Sequence, residues 1–109
     1  MSNFKDDILE AAAGELIVGA VIGVMDWGDY HSDKVPQYEL QPKNKLLSWE
    51  EALPLLDYEY NTSYGAPECN AVYVWTENNV IFVSQYDGAT SLHAIPRNPK
   101  DAAPEMPGG

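Results

Sequence analysis

The chain has 109 residues, with 17 Asp or Glu against 6 Lys or Arg, for a formal net charge of −11. That length holds one domain, and 45% hydrophobic residues supply one core without disulfides or a structural metal, which excludes a wholly disordered chain. The single cysteine, Cys69, excludes a disulfide framework and a thiolate zinc site, and six basic residues argue against direct binding to a nucleic-acid backbone.

The same charge favours a protein partner with a basic surface, because opposite fields steer association; its blander role is to keep the chain soluble. The longest apolar stretch, residues 16–25, is about half a membrane span. The start of the chain sets Asp6 and Asp7 against Lys5 and lacks the basic, then apolar, pattern of a secretory signal. A cytoplasmic protein without membrane contact is expected.

In chain order, residues 4–13 predict a helix: Ser2 or Asn3 can cap it, Asp6 and Asp7 suit its positive end, and Phe4, Ile8 and Ala12 share one face. Gly14 is the expected stop. Residues 15–25, rich in Val and Ile with apolar groups on both parities, predict a strand buried on both faces. A helix continuing to Met25 competes with it, but the internal glycines weaken that reading. Gly19 and Gly23 mark close backbone contacts in a buried element. Residues 26–47 are polar and too long for a passive connection, with an edge strand near residues 35–40. Ser48-Trp-Glu-Glu51 is a capping box opening a helix that Pro54 keeps short.

Three β-rich runs follow, at residues 70–76, 80–86 and 89–95, separated by Asn78-Asn79 and Asp87-Gly88. With type I′ turns at both pairs, Trp75 faces Phe82 and Phe82 faces His93, while Val74, Val83 and Leu92 line the opposite face. The fold class is therefore α+β: an N-terminal helix, a buried strand, a short capped helix and a three-stranded antiparallel meander, with the helices on one face of the sheet. Residues 1–95 form the domain, and the Pro-rich residues 96–109 a disordered tail.

No set of nucleophile, base and stabiliser can be assembled, and there is no phosphate loop or cofactor motif, so neither an enzyme nor a cofactor is expected. Asp26, Asp29, His31 and Asp33 fall within eight residues, but their spacing matches no metal motif, and a solvated loop is the simpler reading. Cys69 has Glu68 beside it and no nearby cation, which makes a structural thiol more fitting than a nucleophile. His93 reads as a half-buried sheet residue.

Two surfaces stand out. Asp57, Tyr58, Glu59, Tyr60, Tyr64 and Glu68 interleave acids with tyrosines, a composition suited to protein contact. If extended, the segment sets Asp57 and Glu59 about 7 Å apart on one face and the tyrosines on the other. A row of carboxylates at that spacing imitates phosphates; alternatively, Tyr58 and Tyr60 pack inward and the acids are merely solvated. The second surface is the sheet face bearing Tyr73, Trp75, Phe82 and Tyr86, covered either by the loop at residues 26–47 or by a partner.

The stretch Leu47-Ser-Trp-Glu-Glu-Ala-Leu-Pro-Leu-Leu-Asp-Tyr-Glu-Tyr60 resembles small acidic proteins of unknown function from actinobacterial phages. So do Val72-Tyr-Val-Trp-Thr76, Val80-Ile-Phe-Val-Ser-Gln-Tyr-Asp-Gly-Ala-Thr90 and Ile95-Pro-Arg-Asn-Pro99. The resemblance spans roughly the second half, carries no active site, and implies a role in infection within a bacterial cytoplasm. Element order and charge are also similar to the uracil-DNA glycosylase inhibitor, a phage DNA mimic, whose start Asp7-Ile8-Leu9 and Leu16-Ile17-Val18 resemble. Residues 26–47 depart from its compact pattern, and a likeness of architecture carries no function. The expected function is a non-catalytic acidic module that inhibits or modulates a host or phage protein. The alternative is an assembly protein that forms a homo-oligomer through its aromatic sheet face.

Overall fold

The computed structural model describes residues 2–23, 44–63, 68–86, 88–104 and 106. The elements are β1 (Ser2–Asn3), α1 (Phe4–Ala12), β2 (Ile17–Ile22), β3 (Leu46–Leu47), α2 (Trp49–Leu56), β4 (Glu59–Tyr60), β5 (Val72–Thr76), β6 (Asn79–Tyr86) and β7 (Ala89–Pro96). Five strands form one antiparallel sheet in the order β3-β2-β5-β6-β7, and β1 pairs with β4 in a second, two-stranded sheet. The architecture is α+β. The edge strand expected near residues 35–40 lies outside the described residues.

α1 starts where the Asn3 carboxamide oxygen accepts the Asp6 N–H at 3.0 Å. Phe4, Ile8 and Ala12 recur at helical spacing and are buried against the sheet. The helix runs to Ala12, with Ala13 as its cap in the left-handed conformation at φ 53°, and Gly14 follows at the expected C′ position with φ 84°.

α2 opens with the full capping box. The Ser48 hydroxyl accepts the Glu51 N–H at 3.2 Å, and the Glu51 carboxylate accepts the Ser48 N–H at 2.9 Å, which holds that carboxyl below its ordinary range. Pro54 does not end this helix, which runs on to Leu56. The proline forfeits only the bond to the Glu50 carbonyl on an exposed turn, while buried Ala52 and Leu56 hold the helix to the core.

β2 departs from the expectation of burial on both faces. Ala20 and Ile22 pair with Val74 and Val72 on the core side, but Val18 is 51% exposed where the register shifts between Ile17 and Gly19. The described helices lie on one side of the sheet, and the register shift brings Ile17 onto that side with Ala20 and Ile22. Gly19 permits a close approach: a β-carbon there would lie 3.2 Å from Leu46 Cδ1 and 3.3 Å from the Leu47 carbonyl oxygen.

The first hairpin of the meander turns one residue earlier than expected. Tyr73 lies opposite Phe82, Val74 opposite Ile81 and Trp75 opposite Val80, so Trp75 does not face Phe82, nor Val74 Val83. The two-residue displacement keeps every side chain on its expected face. The turn residues are Glu77 and Asn78, and among the described non-glycine residues only Ala13 and Asn44 have positive φ, so this is not a type I′ turn. Its geometry is imposed from outside. The Glu15 carboxylate accepts the Thr76 hydroxyl at 2.5 Å, the Asn78 N–H at 3.3 Å, and the Asn78 and Asn79 carboxamides at 3.1 and 3.3 Å. Leu16 and Glu77 exchange two further bonds. The second hairpin matches expectation: Phe82 faces His93, Val83 faces Leu92, and Gly88 in the turn has φ 82°. Pairing runs past residue 95, because the Arg97 guanidinium donates to the Thr76 carbonyl at 2.7 Å and the Arg97 N–H to the Asn78 carbonyl at 3.0 Å.

Bonds from Thr76 and Asn78 hold the Glu15 carboxyl below its ordinary pKa. A depressed folded-state pKa stabilises the fold above the unfolded carboxylate range, and the gain is lost as pH falls through the folded value. Glu15→Gln should therefore lower the melting temperature near pH 7, and the gap to the unaltered chain should narrow as pH falls below the ordinary carboxylate range. Thermal melts of both chains across that range check it; a gap independent of pH would contradict the clamp.

Candidate interaction surface

The segment with interleaved acids and tyrosines divides by parity. Asp57 and Glu59 are exposed, while Tyr58 and Tyr60 are buried at 8% and 2% exposure. Their rings pack on Phe4, with centroids at 5.5 and 5.1 Å. Each hydroxyl is satisfied within the fold. Tyr58 donates to the Asn70 carboxamide oxygen at 2.9 Å and accepts the Asn70 N–H at 3.0 Å; Tyr60 donates to Asp7 at 2.7 Å. Burial is the main cause that pushes both phenols up, and the Asp7 carboxylate adds to it for Tyr60. These two tyrosines are packing residues, which corrects the expectation that they anchor a partner. A ring that fills the core against Phe4 has no face left to offer.

Asp57 is tied into the same corner, accepting the Asn3 carboxamide at 2.9 Å with the Lys5 ammonium at 3.8 Å. Glu59 stays at the surface on β4, and Glu68 is half-buried. Tyr64 lies outside the described residues, as do Asp26, Asp29, His31 and Asp33.

Tyr73, Trp75 and Phe82 do share one surface. They project from the side of the large sheet that faces away from α1 and α2. One cross-strand row runs Leu46, Val21, Tyr73, Phe82, His93, and the next runs Gly19, Trp75, Val80, Ile95. Tyr73 meets Trp75 edge-on with ring centroids 6.1 Å apart, and Phe82 stacks on His93 at 5.9 Å. Leu46 is 67% exposed, Tyr73 57% and Ile95 44%. Tyr86 closes the second hairpin opposite Ala89.

Leu46, Val21 and Ile95 are missing from the sequence-derived set. Ile95 follows from counting alternate residues from His93, opposite Phe82, along β7, whereas Val21 needed the pairing of β2 with β5. Leu46 needed the pairing of β3 with β2, which no local pattern announces.

The five strands of this sheet contain no Asp, Glu, Lys or Arg. Of the described acids, Asp6, Asp7 and Glu10 lie on α1, Glu50 and Glu51 on α2, Asp57 and Glu59 beside them, and Glu15 and Glu77 at the turn between β5 and β6. Among the described elements the helices are acidic and the strands of the large sheet uncharged. Among the described residues no group of three His, Cys, Asp or Glu is placed to hold a metal ion, and no helix is long and apolar enough to cross a membrane. Cys69 is buried at 2% exposure.

No family model, no curated protein and no solved structure matches this chain.

Removing the Tyr58 hydroxyl would leave the fully buried Asn70 short of two partners. Tyr58→Phe should cost about 1–3 kcal/mol, the penalty of an unsatisfied buried polar group, without altering the surface. Urea unfolding of the two chains measures it, and equal midpoints would show that Asn70 is satisfied some other way.

Proposed function

We propose that the chain is a non-catalytic protein-binding module of phage origin that docks through the open face of its sheet on a protein of the bacterial host and blocks or redirects it. The observation that carries this reading is the division of charge: five strands without a charged residue in a chain of net charge −11. Exposed Leu46 and Tyr73 in one cross-strand row and Ile95 in the next, with Trp75 and Phe82 among them, have the composition of an interface core. The carboxylates on the other layer cannot touch an occupant of that face, but their field acts during approach. The partner this fits presents an apolar patch rimmed by Lys or Arg. A second copy fits less well, since it would carry the same acidic excess.

The test captures proteins from an actinobacterial lysate, after nuclease treatment, on the unaltered chain, on Leu46→Ser/Tyr73→Ser and on Leu9→Ser, an exposed change on α1. The same protein should be retained by the unaltered chain and by Leu9→Ser, and by Leu46→Ser/Tyr73→Ser about tenfold less or not at all. Its association rate should fall as salt rises. Equal retention by the face variant would overturn the reading. So would a concentration-dependent dimer in light scattering that the face variant abolishes with nothing captured, which assigns the face to self-assembly.

A further inference from the structure

We infer that the free edge of β7 and the acidic groove beside it receive an extended basic segment of a partner protein as a sixth strand of the sheet. This contact is separate from the open face and does not rest on it.

The first support is the backbone of the edge. Among the described residues β7 pairs with β6 on one side only. The Arg97 N–H reaches the Asn78 carbonyl, so alternate residues counted back from it, Ile95, His93 and Ser91, turn their backbone groups toward β6. Thr90, Leu92 and Ala94 turn theirs outward. The Thr90 N–H is taken by the Thr62 carbonyl at 2.9 Å, but no described residue meets the outward groups of Leu92 or Ala94. Edge strands are ordinarily guarded by a charge, a bulge or a proline. The eight residues of β7 carry no Lys, Arg, Asp or Glu, their register with β6 is unbroken, and the one proline, Pro96, stands at the far end. The opposite edge, β3, is two residues long and offers no comparable template.

The second support is the chemistry beside that edge. A groove of about 390 Å³ opens next to Thr90 and Leu92, walled by Asp7 and Glu10 of α1 and by Tyr60 and Thr62. Asp7 accepts the Tyr60 hydroxyl at one oxygen, and no cation among the described residues reaches Asp7 or Glu10, because Lys5 pairs with Asp6 and Asp57. A residue paired opposite Leu92 shares its face, the helical one, and its side chain enters the groove. A Lys or Arg there lays its aliphatic stem along Leu92 and sets its charge against Asp7 and Glu10. Backbone pairing supplies affinity and the charged pocket supplies selection, the division of labour in strand addition. A second copy of β7 has no Lys or Arg to place in the groove, and its His93 lies on the opposite face from Leu92, which decides against self-pairing.

The probe is a blocked octapeptide of alternating Val and Lys, with its Val and Glu counterpart, titrated into isotope-labelled protein. The lysine peptide should shift the Leu92 and Ala94 amides and slow their hydrogen exchange about tenfold or more, and the glutamate peptide should do neither. Asp7→Asn/Glu10→Gln should weaken binding about tenfold with the fold intact, and Ala94→Pro, where it folds, should abolish it. Shifts confined to α1 without exchange protection at Leu92 and Ala94 would overturn the inference, as would equal binding of the glutamate peptide or no binding at all. Protection of those two amides that grows with protein concentration in the absence of peptide would also overturn it, in favour of self-pairing. None of these results touches capture through Leu46 and Tyr73, so the two readings fail separately.

Discussion

Among the described residues two helices, of nine and eight residues, pack on a sheet of five strands, and both lie on one side of it. Each helix is about 13 Å long at 1.5 Å per residue, and five strands about 4.8 Å apart span roughly 20 Å. Both helices are therefore used on the same face. α1 lies along β6 and β7, and α2 along β2. The core takes Ala20, Ile22, Val72, Val74 and Ile81 from that face, and no described helix packs on the opposite face of the same strands. Among the described residues, the exposure of Tyr73, Leu46 and Ile95 follows from that one-sided packing.

The corner around Phe4 explains why the most conspicuous composition in the chain is not a surface. β1 and β4 pair, Phe4 donates its N–H to the Tyr58 carbonyl, and the two tyrosine rings close over Phe4. Alternation of acid and tyrosine along residues 57–60 is the period of a strand with one buried side, and this was legible in the sequence. Which parity went inward was also legible, since rings enter a core more readily than carboxylates. What no local pattern announced was the partner: Ser2 and Asn3 are too short a strand to show a period, and their pairing lies more than fifty residues away.

The meander shows the same boundary between local and distant causes. β6 and β7 pair in the register that the turn residues predict, with Gly88 at positive φ, so local turn chemistry found the register. Asn78-Asn79 also tolerates positive φ, although it lacks the glycine of the second turn, and the chain turns at Glu77 and Asn78 instead. Glu15, over sixty residues upstream, gathers the Thr76 hydroxyl and both asparagine carboxamides, and Arg97 holds the Thr76 carbonyl from the other side. Helix caps at Asn3 and Ser48 were legible because donor and acceptor lie three residues apart. The candidate surface was legible in part for a related reason: Tyr73, Trp75 and Phe82 keep their face under any even shift of register, although their cross-strand partners change.

The separation of charge from contact area gives the two sides of the molecule different ranges of action. A carboxylate on α1 or α2 is felt over about one Debye length, roughly 8 Å at physiological salt, and so acts on a partner still in solution. An uncharged face of Leu46, Tyr73, Phe82 and Ile95 acts only at contact, where desolvation of apolar area takes effect. Placing charge inside that face would require each carboxylate to lose its water on docking, a cost that pairing often fails to offset. Strands free of charge avoid that loss, and the edge of β7 extends the same logic. Its backbone groups need no charge to recruit a strand, and the two carboxylates that select the strand stand beside the edge, in a groove that opens to water.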